Sequence, residues 1–314
     1  MKFKKLLVLL LTLALMTTSF AACGGQEAEA PAEPPAVEEP EVNVVEEAAM
    51  AYFANLPESK NMIDFKDLMT KIDAGEELFI IDTRSAEDYA KGHVKGAVNL
   101  PFASTAIGEN VEYIPDDVPV YVYCYTGQTA SQVTSVLNVA GKPVTNIKGG
   151  FLRGITTTDG HEAYLDAVAV AMPTDTYEVD DEIQAAVVSY FETVASYNGT
   201  DTANQNISPE MVKEIVDSES DEYFILSVRQ AEDYAKGHIP GAVNIPWGVG
   251  MQESFADLPK DKKIIVYCYT GQTASQTVGI LRLLGYEAYN MSFGMGSVET
   301  EKGWLGAGFD VVTE

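Results

Sequence analysis

Two cysteines of this chain lie in identical sequence surroundings. Cys124 and Cys268 occupy the same place in an eleven-residue stretch, Val-Tyr-Cys-Tyr-Thr-Gly-Gln-Thr-Ala-Ser-Gln, that begins at Val122 and again at Val266. Each cysteine follows a short apolar strand, and the loop that it opens leads into a helix. Loop N–H groups and the helix N-terminus then converge on the sulfur and favour negative charge there. Since the thiolate is the nucleophilic form of cysteine, we predict that Cys124 and Cys268 are nucleophiles.

The loop residues around each cysteine are predicted to bind the substrate. Gly127 and Gly271 allow a tight turn that aims N–H groups inward, and Thr129 and Thr273 can bond to loop amides or cap the helix. The other loop members are uncharged in both copies: Tyr125, Thr126, Gln128, Tyr269, Thr270 and Gln272. A cation for an anionic substrate would therefore have to come from outside the loops.

A cysteine at the end of a strand can also be an inert, small hydrophobic residue. We favour chemistry because the chain has three cysteines, and two of them take equivalent places in its longest internal repeat. With three cysteines and three histidines, the sequence does not provide a four-cysteine zinc site or a disulfide framework. We predict no metal and no cofactor.

The composition is strongly acidic. The 314 residues include 20 Lys+Arg against 47 Asp+Glu, a formal net charge of −27. Such a chain lacks the basic surface that neutralises phosphates, which argues against nucleic acid as a partner. The hydrophobic fraction of 46% is too high for a chain that is disordered throughout.

The elements that position the two loops are also duplicated. Residues 86–93 recur without change as residues 231–238, and residues 96–99 recur as residues 241–244. A repeat this long indicates a duplicated domain. Short apolar strands alternate with helices in each copy, which predicts an α/β fold with two tandem domains, each a parallel sheet flanked by helices. The predicted boundaries are 57–173 for domain 1, 174–201 for a linker that contains a helix packed as interdomain filler, and 202–314 for domain 2.

The N-terminal segment is predicted to be a targeting signal. A basic start precedes an apolar run over residues 6–16, which is too short to span a hydrocarbon core of about 30 Å. The small residues before Cys23 resemble the bacterial lipobox, which predicts a signal peptide over residues 1–22 and a lipid on Cys23. Residues 23–56 are acidic and rich in Pro, Ala and Glu, and are predicted to be an extended tether. We expect lipid anchoring at the extracytoplasmic face of the cell membrane; the alternative is a soluble secreted protein.

Together, the motifs of both copies resemble those of rhodanese domains. They are Asp82-Thr83-Arg84, Gly92-His93, residues 96–101 and the Cys-x-x-Gly-x-Thr loop in the first copy, and Val228-Arg229, residues 237–246 and the equivalent loop in the second. The resemblance implies a sulfurtransferase in which Cys124 and Cys268 carry sulfane sulfur as a persulfide. It implies that Asp82, Arg84 and Arg229 support the loops. It also implies thiosulfate or another small sulfane donor, and a thiol or cyanide-like acceptor.

The second copy departs from this pattern in two places. Ser227 stands where the first copy has Asp82, which puts the geometry of Arg229 in question. The Gly149-Gly150 turn that closes the first copy is matched only loosely in the second, by residues 293–296. The arginines that could supply the cation absent from the loops are Arg84, Arg153, Arg229 and Arg282.

Two alternative functions stay open at this point. One is a non-catalytic binding module at the cell surface. The other is a dithiol redox protein, which requires that Cys124 and Cys268 face each other within disulfide reach. A phosphatase fits less well, because the loop is short and lacks the arginine that grips an oxyanion. The sequence makes no prediction of the oligomeric state.

Overall fold

The computed structural model describes residues 43–313. The predicted signal peptide, Cys23 and residues 23–42 of the predicted tether lie outside this range. Within it, no helix is both long enough and apolar enough to cross a membrane.

The strands are short and belong almost entirely to two sheets. In chain order they are β1 (Met62–Ile63), β2 (Phe79–Asp82), β3 (His93–Val94), β4 (Val98–Asn99), β5 (Val120–Tyr123), β6 (Val144–Ile147), β7 (Leu165–Asp166), β8 (Asn206–Ile207), β9 (Tyr223–Ser227), β10 (Val243–Asn244), β11 (Lys263–Tyr267) and β12 (Ala288–Met291). Strands β3 and β7 form a small antiparallel pair, and the others form the two main sheets.

The two main sheets have the same topology. The first has the strand order β1-β6-β5-β2-β4 and the second β8-β12-β11-β9-β10, with parallel pairing throughout. The central strands β5 and β11 are buried on both faces, except for the half-buried Lys263 at the start of β11, as expected for parallel strands covered by helices on each side. The predicted α/β fold with two tandem domains is confirmed.

Helices cover both faces of each sheet. They are α1 (Val44–Ala54), α2 (Phe65–Asp73), α3 (Ala86–Lys91), α4 (Ala106–Glu109), α5 (Gln128–Val139), α6 (Asp181–Ser196), α7 (Pro209–Asp217), α8 (Ala231–Lys236), α9 (Gln272–Leu283) and α10 (Gly303–Gly306). Helices α5 and α9 start at the two cysteine loops, so these two helices decide where the loops lie.

Helices α5 and α9 pack directly against each other at the centre of the molecule. Ser135 and Gly279 hold equivalent positions in the two copies, and a Cβ added to Gly279 would lie 2.2 Å from the Ser135 Oγ. Contact between equivalent positions indicates an approximate two-fold axis. The axis passes between the two helices and brings their N-terminal loops to the same side of the interface.

The helix that precedes each domain buries a Tyr-Phe pair in the core of the other domain. Helix α1 comes before domain 1, yet Tyr52 and Phe53 are buried in a cluster with Trp247 and Phe255 of domain 2. Helix α6 comes before domain 2, yet its Phe191 is buried in the core of domain 1. The repeated unit therefore begins one helix earlier than the sequence analysis placed it.

Two boundary predictions need correction. The predicted tether over residues 23–56 includes α1, which is folded and buries Tyr52 and Phe53. The predicted linker over residues 174–201 contains α6, which is a core element of domain 1 rather than filler between domains. Helix α1 was assigned to the tether because the residues around it are acidic. A Tyr-Phe pair occurs at 52–53 and again at 190–191, and this repetition indicates that α1 and α6 are equivalent helices of the two copies.

This exchange of helices predicts crossed effects on stability. Phe53 and Phe191 are both fully buried, and replacing either by Ala should cost about 3–5 kcal/mol. We expect Phe53→Ala to increase hydrogen exchange mainly in β9, β11 and α9 of domain 2, and Phe191→Ala mainly in β2, β5 and α5 of domain 1. Mass spectrometry of exchanged peptides measures this. Loss of protection in the domain adjacent in sequence would contradict the helix exchange.

Candidate active site

The Cys124 thiol is held by the backbone of its own loop. Strand β5 ends at Tyr123, and Gly127, with a φ of +81°, turns the chain into α5. The Gly127 N–H donates a hydrogen bond to the Cys124 Sγ over 3.1 Å. The sulfur therefore lies at the N-terminus of a helix, where backbone dipoles favour the thiolate.

A second turn closes over the Cys124 loop from the end of β6. The Phe151 N–H donates to the Cys124 carbonyl oxygen over 2.7 Å, and the Leu152 N–H donates to that of Tyr125 over 2.9 Å. A Cβ at Gly150 would lie 2.4 Å from the Cys124 oxygen, so the close approach of the two backbones requires glycine. The loop is thus fixed on both sides of the cysteine.

Domain 2 reproduces this arrangement around Cys268. The Gly271 N–H donates to the Cys268 Sγ over 3.1 Å, and the Met295 N–H donates to the Cys268 carbonyl oxygen over 2.7 Å. A Cβ at Gly294 would lie 2.4 Å from that oxygen. Residues 293–296, which match the first copy only loosely, therefore perform the same role as its Gly-Gly turn.

Phe293 stands in the place of Gly149 and adopts the same left-handed backbone. Its φ is +62°, which is uncommon for a bulky side chain and costs conformational free energy. Two cations, Arg153 and Lys302, lie over its aromatic ring at 5.4 and 5.8 Å from the ring centroid. From the sequence, Phe293 was noted only within the loose match at residues 293–296, and Lys302 was not identified.

Asp82 and Arg84 form a buried ion pair that supports the first loop. The Arg84 Nη2 lies 2.6 Å from the Asp82 Oδ2 and donates to the Gly92 carbonyl oxygen over 2.7 Å. The Tyr123 hydroxyl donates to the same carboxylate over 2.8 Å. Burial and the charge of Asp82 raise the pKa of Tyr123 well above its ordinary value, so the phenol remains a donor. The Arg84 guanidinium is engaged in this support.

Arg229 keeps its position without the carboxylate partner. With Ser227 in place of Asp82, the Arg229 guanidinium donates to the carbonyl oxygens of Gly237 over 2.6 Å and Asp233 over 2.9 Å. The contact to Gly237 is equivalent to that between Arg84 and Gly92. The Arg229 Nε is buried and has no hydrogen-bond partner among the described residues. Backbone carbonyls, rather than an acid, therefore hold this arginine.

The tyrosines that follow the cysteines form outer walls of the loops. The Tyr125 hydroxyl donates to the Asp88 Oδ2 over 2.5 Å, and the Tyr269 hydroxyl donates to the Asp233 Oδ2 over 2.6 Å. The hydrogen bond from Tyr125, assisted by Lys91, lowers the pKa of Asp88 to about 2. Both carboxylates are therefore anchors for a tyrosine and add negative charge beside the loops.

The threonines and histidines have structural surroundings. Thr129 lines the cavity next to Cys124, but glycine, not threonine, occupies the cap position of α5 and of α9, so the predicted capping by Thr129 and Thr273 is not seen. His93 is buried and stacked on Tyr89, with both ring nitrogens at backbone carbonyl oxygens. Within residues 43–313, no group of His, Cys, Asp and Glu could hold a metal ion.

Cys124 opens into a cavity of about 490 Å³ that both halves of the chain build. The domain 1 loop contributes Thr126 and Thr129, and domain 2 contributes Asn204, just before β8, and Asn206, the first residue of β8. The Asn204 Oδ1 is buried without a hydrogen-bond partner among the described residues, and its backbone has a φ of +58°. This amide was not predicted from the sequence, because it comes to line the Cys124 cavity only through domain packing.

A second cavity, of about 350 Å³, lies between the two loops and is lined in part by positively charged side chains. Thr126, Thr270 and Gln272 line it together with Arg153 and Lys302. In the part of the chain that the structure describes, neither cation has a carboxylate within 4.0 Å. Of the four candidate arginines, Arg153 is therefore the one that faces the loops. Arg282 instead lines a separate cavity with Tyr197 and Glu287.

Sulfurtransferases are among the known proteins to which this chain is similar. Thiosulfate sulfurtransferase of Pseudomonas aeruginosa is 24% identical over 264 residues, covering 76% of this chain and 92% of that protein. A Mycobacterium bovis protein provisionally named thiosulfate sulfurtransferase 2 is 35% identical over 106 residues, so this chain spans 33% of its length. The crystal structure of SseA from Escherichia coli, a 3-mercaptopyruvate sulfotransferase, is 20% identical with a TM-score of 0.35, covering 73% of this chain and 97% of that one.

The family model described as Rhodanese-like domain matches the chain twice. The two matches cover residues 64–153 and 208–301, and each contains one cysteine loop with its strand, its helix and its closing turn. Since the matches together cover more than half of the chain, the protein belongs to the rhodanese-like family, with two such domains in tandem.

Proposed function

We propose that the protein is a sulfurtransferase that carries sulfane sulfur as a persulfide on Cys124 and Cys268. The observation that supports the proposal most directly is the pair of loop N–H groups, from Gly127 and Gly271, at 3.1 Å from the two sulfurs. Donors in this position stabilise a thiolate before attack and the negative charge of a persulfide after it. The named activities of the relatives point in the same direction.

The reaction proceeds in two displacements on sulfur. A cysteine thiolate attacks the outer sulfur of a donor such as thiosulfate, the S–S bond of the donor breaks, and its electron pair leaves with sulfite. The new S–S bond makes the persulfide. An acceptor thiolate or cyanide then attacks the outer sulfur and takes it, and the electron pair of that bond returns to the cysteine as thiolate. Covalent catalysis of this kind balances without an added oxidant or reductant.

An anionic donor requires positive charge, because the protein as a whole repels it. The net charge is −27, and Asp88 and Asp233 lie beside the loops. Arg153 and Lys302 offer two cations without carboxylate partners in the cavity between the loops. Thr126 lines both this cavity and the one into which Cys124 opens, so we propose that these two side chains attract the anionic donor to the Cys124 loop.

The cysteines are tested by substitution. We expect Cys124→Ser with Cys268→Ser to reduce sulfur transfer from thiosulfate to cyanide by at least about 10³-fold, because neither loop keeps a thiolate. The activity lost in each single variant gives the contribution of the substituted domain to turnover. In each single variant, mass spectrometry after incubation with donor should show a gain of one sulfur atom on the loop cysteine that remains. Cys23→Ser, which removes the third cysteine, is the control and should keep full turnover.

Two outcomes would contradict the sulfurtransferase proposal. One is a double variant that keeps the turnover of the native protein. The other is a native protein whose loop cysteines stay unmodified after treatment with a sulfane donor, which would favour the binding-module alternative.

The cations are tested separately from the thiols. We expect Arg153→Gln with Lys302→Gln to raise the KM for thiosulfate about tenfold or more, since hydrogen bonds to charged groups contribute about 1.5–3 kcal/mol each. The rate at which uncharged iodoacetamide alkylates the two cysteines should stay within about twofold of the rate in the native protein. Lys66→Gln, which removes a positive charge from the exposed side of α2, is the matched control. An unchanged KM in the double variant would exclude these two side chains as the donor site.

A further inference from the structure

The first residue of each loop helix reaches into the other domain. Gln128 begins α5 in domain 1, yet its Oε1 accepts hydrogen bonds from the Phe293 N–H over 2.9 Å and from the Asn290 Nδ2 over 3.1 Å, both in domain 2. Gln128 is buried, with 5% of its surface exposed. Its amide is therefore a fixed part of the other domain's loop support.

Gln272 makes the mirror-image contacts. It begins α9 in domain 2, and its Oε1 accepts from the Gly149 N–H over 3.1 Å and from the Asn146 Nδ2 over 3.2 Å, both in domain 1. Each glutamine also donates to a threonine of its own loop, Gln128 to Thr126 over 3.1 Å and Gln272 to Thr270 over 3.3 Å. Backbone N–H groups can only donate, so the orientation of both amides is set by their partners.

These contacts reach the parts of the loop that hold the thiol. A Cβ at Gly127 would lie 2.5 Å from the Gln272 Oε1, and it is the Gly127 N–H that donates to the Cys124 Sγ. The Asn146 Nδ2 lies within hydrogen-bond distance of the Gln272 Oε1 and of the Gly127 carbonyl oxygen. Gln272 thus contacts the loop glycine of Cys124 directly and is linked to it through Asn146.

The same relation holds in the other direction. A Cβ at Gly271 would lie 2.3 Å from the Gln128 Oε1, and the Gly271 N–H donates to the Cys268 Sγ. Gln128 also accepts from Phe293, the residue held in a left-handed conformation beside the Cys268 closing turn. The tertiary hydrogen bond provides the partner that keeps this strained backbone in place.

We propose that Gln128 and Gln272 are crossed positioning residues. Gln272 of domain 2 sets the reactivity of Cys124, and Gln128 of domain 1 sets the reactivity of Cys268, each by fixing the loop glycine whose N–H binds the sulfur. The biological meaning rests on the proposed sulfur-carrier role of the two thiols. The mechanism itself concerns thiol ionisation, so it can be tested without sulfur transfer.

The test uses Gln272→Met and Gln128→Met in the full chain. Methionine has a similar size but accepts hydrogen bonds only weakly, so the Gly149 or Phe293 N–H loses its partner. The rate of alkylation by iodoacetamide is measured at each cysteine by mass spectrometry across pH. The midpoint is the pH at which a cysteine reaches half of its limiting alkylation rate. We expect Gln272→Met to raise the midpoint of Cys124 by about one pH unit, which is a tenfold loss of thiolate at lower pH. The midpoint of Cys268 should not change. Gln128→Met should give the reverse.

The midpoint reports the ionisation of the thiol, whereas the limiting rate at high pH reports the access of the reagent to it. Gln128 also lines the cavity of Cys124, so its removal can change the limiting alkylation rate of Cys124 at high pH, but not the midpoint. If a methionine variant does not fold, Gln272→Asn and Gln128→Asn shorten the side chain by one methylene and withdraw the acceptor from the Gly149 or Phe293 N–H without adding charge. These variants should raise the pH midpoint of alkylation at the cysteine in the other domain. A midpoint shift confined to the cysteine of the same loop, or equal shifts at both, would overturn the crossed assignment.

Failure of this inference differs from failure of the proposed function. Crossed midpoint shifts in a protein that takes up no sulfur would support the positioning role and contradict the sulfurtransferase. Sulfur transfer that is lost in the cysteine variants, but without crossed shifts in the glutamine variants, would do the opposite.

Discussion

The close contact between α5 and α9 is the constraint on which the site depends. At their crossing a Cβ on Gly279 would lie 2.2 Å from the Ser135 Oγ. The two helices are therefore so close that a larger residue at position 279 would clash. Since each helix begins at a cysteine loop, the same contact places the loops beside each other. It brings Gln128 within reach of Phe293, and Gln272 within reach of Gly149. The crossed helices α1 and α6 bury the outer sides of this interface, and their Tyr52 and Tyr190 hydroxyls donate to Gln276 of α9 and Gln132 of α5.

The electrostatics of the site follow from packing rather than from composition. An acidic chain with a net charge of −27 would disfavour an anionic donor at an ordinary surface. Domain packing changes this locally, because Arg153 comes from domain 1 and Lys302 from domain 2 and both lie over the Phe293 ring. The arginines nearest to the cysteines in sequence motifs have other tasks. Arg84 is neutralised by Asp82, and Arg229 is held by backbone carbonyls.

Local sequence was sufficient for the fold of each domain and for the cysteine loops. Short apolar strands, helical periodicity and the repeated motif predict a parallel α/β unit twice, and Gly127 and Gly271 adopt the tight turns that their freedom at positive φ allows. The prediction was wrong where a segment packs against residues that are distant in the sequence. Helix α1 has an acidic surface and a small apolar face, so by itself it resembles the tether before it, and its role depends on a groove in domain 2.

The sequence by itself determined the chemistry that is available: two equivalent thiols, each at a strand end before a helix, in two rhodanese-like domains. Only the tertiary structure decided which groups surround those thiols. Asn204, Arg153, Lys302 and the crossed glutamines come from the other domain or from beyond the motifs. The physical reason is that backbone hydrogen bonds within a loop depend on neighbours in the chain, whereas charge, cavity shape and the partner of a side-chain amide depend on which surfaces pack together. Such packing is a property of whole helices and their apolar faces, and no short motif encodes it.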